Sequence, residues 1–206
     1  VAGAAVADLV ASGGSGGGHT FSLVYALDKL NPFSLIAEGA VWKYLGNGLL
    51  PAPGWQDAGF DDSAWASGPA VLGYGDASVA TTLSFGGDAD NKHAAYYFRQ
   101  AFNLDAGELS LMDSLRVRMR RDDGAIIYIN GTEVVRDNLP DGEVDNTTFA
   151  DVTANVVDEG TYFEFDIDPS VLRDGDNSIA VEVHQTNATS SDIIFDLALE
   201  YQRRSG

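Results

Sequence analysis

The chain has 206 residues, 45% of them hydrophobic, which is within the range of one β-sandwich and enough for a continuous core. Its 31 acidic side chains against 12 basic ones give a formal charge of −19, a field that repels phosphate backbones and argues against nucleic-acid binding. With no cysteine, thiolate zinc sites, thiol nucleophiles and disulfide frameworks are excluded, and the absence of any apolar run near the roughly 20 residues of a bilayer span argues against membrane insertion.

Residues 1–19 open with small apolar residues and pass into SGGSGGG, the composition of a flexible linker. A linker there suggests a preceding unit in a parent protein, or an appended sequence, and an export signal is expected outside this stretch. Residues 20–37 form an N-terminal extension in which FSLVYALDKLNPFSLIA (21–37) reads as a short helix or as an edge strand.

From Val41 onward the pattern is β. YYFRQAF (96–102) is a short aromatic strand. In LRVRMRR (115–121), Leu115, Val117 and Met119 share one face while Arg116, Arg118 and Arg120 share the other. DDG (122–124) turns the chain into AIIYI, and Asn130-Gly131 supplies a strong hairpin signal before TEVV. Phe163, Phe165 and Ile167 alternate with Glu164 and Asp166; Ile179, Val181 and Val183 alternate with Glu182 and His184. Ile193, Phe195, Leu197 and Leu199 alternate with Asp196 and Glu200. One apolar and one polar face per strand predicts an all-β, antiparallel β-sandwich. The sandwich is expected over 38–201, with a C-terminal tail at 202–206.

Trp42, Trp55 and Trp65 read as core residues, with stacking on a sugar ring as the rival role. Gly73-Tyr74-Gly75-Asp76 reads equally as a ligand-facing loop or a turn. Arg120, Arg121, Asp122 and Asp123 stand where a strand ends; carboxylates beside guanidinium groups can orient sugar hydroxyls, or can simply pair and fix the hairpin. His184, Gln185, Asn187 and Asp192 surround the turn-rich HQTNATSSD. Asn and Asp stabilise turns through their own backbone, whereas a histidine at a polar strand end either faces a loop-borne site or is satisfied by a carboxylate. The sequence lacks HExxH, GxSxG and a compact set of histidines, so catalysis has little support. EF-hand spacing is missing too, yet loops 57–62, 88–91 and 141–145 could supply oxygens to a structural calcium.

VWKYLGNG, GWQDAGFDDSAWASGPAVLGYGD, NKHAAYYFRQAF, RRDDGAIIYINGTEVVRDNLP and IAVEVHQTNATSSDIIFDLALE together resemble a module of the galactose-binding-like superfamily. The W…FDDSxW stretch is also similar to jelly-roll domains attached to some glycoside hydrolases. The resemblance implies a jelly-roll sandwich, often with structural Ca2+, often binding carbohydrate through loops at one end. It also implies a setting in multidomain secreted or surface proteins of bacteria. Matching pieces make Tyr74, Asp76, Arg121, Asp122, Asp123, His184, Gln185 and Asp192 the better ligand-binding candidates, with Arg120 and Asn187 beside them.

The leading expectation is therefore a noncatalytic module that binds a polysaccharide or oligosaccharide, monomeric when isolated, beside neighbouring domains of its parent chain. Its rivals are a structural or adhesive spacer that contacts protein, and a glycan-active hydrolase with an acid-lined cleft.

Overall fold

The computed structural model describes residues 32–152 and 160–204. The linker reading of 1–19, and the helix-or-strand reading of 21–37 up to residue 31, lie outside them. The strands are β1 (Phe33–Ile36), β2 (Val41–Leu45), β3 (Ala66–Pro69), β4 (Leu72–Tyr74), β5 (Thr81–Thr82) and β6 (Ala95–Leu104). They continue with β7 (Met112–Asp122), β8 (Gly124–Ile129), β9 (Thr132–Asp137), β10 (Phe163–Ile167), β11 (Gly175–His184) and β12 (Ile193–Arg203). A single helical turn, Glu108–Leu111, precedes β7.

The strands form two six-stranded sheets. The first runs β10-β7-β12-β4-β5 with β1 also on β12; the second runs β3-β2-β6-β11-β8-β9. All pairings are antiparallel except the short β4–β5 contact. β7 lines one edge of β12 from Ile194 to Arg203. The opposite edge is shared, by β4 near Phe195 and by β1 near Leu199. Residues 33–36 thus belong to the sandwich as a strand, and β12 continues through Arg203 into the expected tail.

The alternation read from sequence becomes the core. Leu115, Val117 and Met119 lie beside Phe195 and Leu197 in the first sheet, in one core cluster with Val181 and Ile127 of the second, and are fully enclosed. Phe98 of the second sheet stacks on Phe195 of the first at 4.1 Å between ring centroids, and Trp42 meets the same ring edge-on. Trp42 is therefore core, as expected from sequence. On the opposite face of β7, Arg116 reaches Asp166 and Glu164 of β10 at 2.9 Å each, and Arg118 reaches Glu38 at 2.6 Å. These pairs are exposed enough to contribute only tenths of a kcal/mol up to about 1 kcal/mol each.

The second sheet departs from the simple picture of one wet face. Its outer side chains, among them Ala95, Tyr97, Arg99, Ile126, Ala180, Glu182 and His184, are buried as well. Two long loops, 46–65 and 138–150, cover them. Trp55 and Trp65 pack there against Ala95, Tyr97 and Ala180, so they roof the outside of the sheet rather than plug an end of the sandwich. Asn130 and Gly131 take φ of 52° and 85°, the conformation that a tight hairpin needs. A Cβ on Gly131 would lie 2.4 Å from the Asp57 carboxylate, so the hairpin must be glycine where loop 46–65 presses on it.

Candidate ligand cleft

Most of the residues singled out in the sequence meet at one end of the sandwich. There β4, β7 and β11 finish, and β6, β8 and β12 begin: Tyr74 pairs with Ile193, Asp122 with Ile194, and His184 with both Gly124 and Ala95. Arg121, Asp122, Asp123, His184 and Gln185 are buried. Arg121 pairs with Asp137 through its Nε at 2.8 Å and lies over the Phe163 ring. Asp123 accepts bonds from the backbone N–H (2.8 Å) and hydroxyl (3.1 Å) of Thr186. Gln185 donates to the Tyr74 hydroxyl, whose ionisation is opposed by burial.

The less buried members of the group spend their oxygens locally. Asp76 accepts from Ser78, which holds its carboxyl below the usual carboxylate range. Asn187 accepts from Thr189 N–H at 2.9 Å, and Asp192 accepts from Ser191 at 2.7 Å. Arg120 reaches Ser78 at 3.4 Å from the flank. The buried members thus tie the ends of β4, β7, β9 and β11 to one another.

His93 stands at the same end, its ring gripped between Gly48 and Gly86, where added Cβ atoms would fall 2.2 Å and 2.7 Å away. Burial lowers its pKa from 6.5, so the unfolded chain takes up a proton before the folded one does. Stability from this residue is complete above pH 6.5 and is lost as pH falls through the lower folded value. A melting series from pH 7.5 downward should show a decline that His93→Gln reduces; parallel curves for the two proteins would refute it.

A concave site lies elsewhere, on the roofed face of the second sheet. It is a cleft of about 750 Å³. Leu50, Pro51, Pro53 and Trp55 from loop 46–65 form one wall, and Gly142, Glu143, Val144, Asp145 and Thr148 form the other. Tyr128 of β8 and Glu182 of β11 make the floor, and Glu133 and Arg136 of β9 close one side. Arg99 positions the first wall: its guanidinium bonds Asp62 at 3.0 Å, the Asp57 carbonyl at 3.0 Å and the Trp55 carbonyl. Asn146 bonds the Gly48 carbonyl at 2.8 Å and so ties the two loops together.

The floor is a buried polar network. Tyr128 donates to Glu182 Oε1 at 2.7 Å, and His184 Nε2 lies 3.2 Å from Oε2. His184 Nδ1 lies 2.8 Å from the Thr148 carbonyl oxygen. Both ring nitrogens therefore face acceptors. Satisfying both requires an imidazolium beside the carboxylate, or a neutral imidazole that donates to Thr148 and accepts from a protonated Glu182. Burial and the adjacent Glu182 both oppose ionisation of Tyr128, so its hydroxyl stays a donor.

Behind the floor, the Tyr97 hydroxyl is fully buried and has no hydrogen-bond partner among the described residues. Tyr97→Phe is expected to be neutral or stabilising by about 1 kcal/mol, because it removes an unpaired polar group without changing the ring. A chemical-denaturation midpoint that falls would show that the hydroxyl has a partner.

Among the sequence's ligand-binding candidates only His184 touches this floor; Trp55 carries the rival sugar-stacking role and Asp145 belongs to a calcium-candidate loop, whereas Tyr128, Glu133, Arg136 and Glu182 were not singled out as ligand groups. Among the described residues no group of three or more His, Cys, Asp or Glu side chains is arranged to hold a metal. One acid in each calcium-candidate loop acts within its own turn, Asp61 accepting from Ser63, Asp88 from Asp90 and Asp145 from Thr147, while Asp62 pairs with Arg99.

No family model and no curated protein matches the chain. Solved structures do. A β-glucuronidase of Bacteroides uniformis aligns over 83% of this chain and 18% of its own, at 18% identity and a TM-score of 0.53. The calcium binding mutant of Bacteroides uniformis β-glucuronidase 2 aligns over the same shares, at 19% identity and 0.51. A glycosyl hydrolase family 2 member from Bacteroides cellulosilyticus gives 84% and 21% coverage, 17% identity and 0.51. The chain is a jelly-roll sandwich. The likeness is one of fold, and the sandwich spans about a fifth of the length of these multidomain glycosidases.

Proposed function

We propose that this sandwich is a noncatalytic carbohydrate-recognition module of a larger exported protein, and that the cleft over the second sheet receives the glycan. The observation that carries the reading is the cleft's composition. An apolar wall of Leu50, Pro51, Pro53 and Trp55 faces a polar wall across a floor whose carboxylate is already oriented by Tyr128 and His184. Sugars present an apolar ring face and a hydroxyl rim, and such a cleft meets both. Fold-level likeness to segments of bacterial glycosidases supports a setting beside glycan-active domains.

Calorimetric titration of the folded chain against a polysaccharide and oligosaccharide panel tests this reading. A saturable response is expected, weakened about tenfold in Tyr128→Phe, which loses one hydroxyl of the floor. Full-strength binding by that variant would place the glycan elsewhere.

A protein-contacting spacer is favoured by one observation: Leu49, Leu50 and Phe149, on the loops that build the cleft, are exposed. It predicts a folded chain with no saccharide response. A hydrolase would instead show turnover that disappears when one acid of a catalytic pair is changed. A structural calcium would be held by loop carbonyls together with single carboxylates, since no three carboxylates converge among the described residues. Its expected signature is a melting temperature raised by calcium and lowered by a chelator; identical melts would remove the ion from the account.

A further inference from the structure

We infer that the cleft selects neutral or ammonium-bearing sugars and discriminates against carboxylate-bearing ones. This rests on the carbohydrate reading above and adds the charge class of the ligand.

The cleft is lined by Glu133, Glu143, Asp145 and Glu182 against a single cation, Arg136. These charges are not equivalent. Arg136 forks onto Glu133 at 2.9 and 2.7 Å, so those two cancel. Glu182 is already engaged at the floor, accepting from the Tyr128 hydroxyl at 2.7 Å with His184 Nε2 at 3.2 Å. Glu143 and Asp145 have no cationic partner among the described residues. The uncompensated negative charge therefore collects on the wall Gly142–Asp145, opposite the apolar wall.

Asp145 is committed to its charge. Thr147 donates to it through both N–H (2.8 Å) and hydroxyl (2.7 Å), Thr148 adds a third donor at 3.2 Å, and together they hold its carboxyl low. A sugar lying on the apolar wall would turn its rim toward Glu143 and Asp145. Hydroxyls and an ammonium can donate to those carboxylates; a uronate carboxylate can only repel them.

The test uses three matched probes of equal length titrated into the folded chain at low salt: glucosamine, N-acetylglucosamine and galacturonate oligomers. The glucosamine oligomer should bind tightest and the galacturonate oligomer at least about tenfold more weakly than the N-acetylated one. The spread should shrink in about 0.5 M salt, where screening is short-ranged. It should also shrink in a Glu143→Gln, Asp145→Asn double variant, whose changes are on exposed side chains. Galacturonate bound as tightly as the neutral oligomer, or a spread unaffected by the double variant, would overturn the inference while leaving carbohydrate binding intact. Silence from all three probes would overturn both.

Discussion

Arg99→Ala is expected to lower stability by about 3 kcal/mol and to dismantle one wall of the cleft. The Arg99 guanidinium is 3% exposed and has partners in three residues of one loop: the Asp62 carboxylate and the carbonyls of Trp55 and Asp57. It also lies over the Phe60 ring at 5.2 Å. Alanine would leave the buried Trp55 carbonyl and the Asp62 carboxylate without this donor, and the Asp57 carbonyl would keep only the Phe60 N–H at 3.2 Å. Trp55 and Trp65 sit on the segment that this side chain holds, so loosening it should expose both indoles and shift their fluorescence to longer wavelength. Arg99→Lys keeps the charge but cannot reach three acceptors in one plane, and should fall between alanine and wild type. A melt and emission spectrum unchanged by the alanine variant would show that the loop is held by packing alone.

Glu182→Leu should cost about 3–5 kcal/mol, and Glu182→Gln about 1 kcal/mol or less. Leucine would strand the Tyr128 hydroxyl and His184 Nε2 inside a face where both now bond the carboxylate. Glutamine can accept from Tyr128 and donate to Nε2 of a neutral imidazole that still donates to the Thr148 carbonyl, so every group stays paired. The contrast between the two variants isolates hydrogen-bond satisfaction from side-chain volume. Denaturant midpoints for both would measure it directly. Equal losses would mean that the charge itself, rather than the bonding pattern, stabilises the floor.

The all-β sandwich was legible because Leu115, Val117 and Met119 alternate with arginines, and β12 repeats the same rhythm over its length. The gathering of Tyr74, Asp122, Asp123, Gln185 and Asp192 at one end was also implicit in where the turns fall. Their role was harder to read. Sequence marks polar residues near strand ends, but not which groups they meet, and here Gln185 bonds Tyr74, Asp123 bonds Thr186 and Asp192 bonds Ser191.

The cleft escaped for a different physical reason. Glu182 and His184 occupy the polar phase of β11, which reads as a solvent face. Burial comes from loops 46–65 and 138–150, far away in sequence. A signal was nevertheless present: AYYF in β6 and AIIY in β8 are apolar on consecutive residues, as expected of strands covered on both faces. With that reading, a glutamate between Val181 and Val183 becomes a buried carboxylate in need of partners, and Tyr128 and His184 are the residues in reach.

The most direct test of the account is nuclear magnetic resonance mapping of the labelled chain during titration with a glycan that binds it. The account predicts perturbed signals at the Trp55 indole, Tyr128 and residues 142–148, with the strand-end loops at 74–78 and 186–192 unaffected. Perturbations confined to those strand-end loops would contradict it and would move recognition to the end of the sandwich.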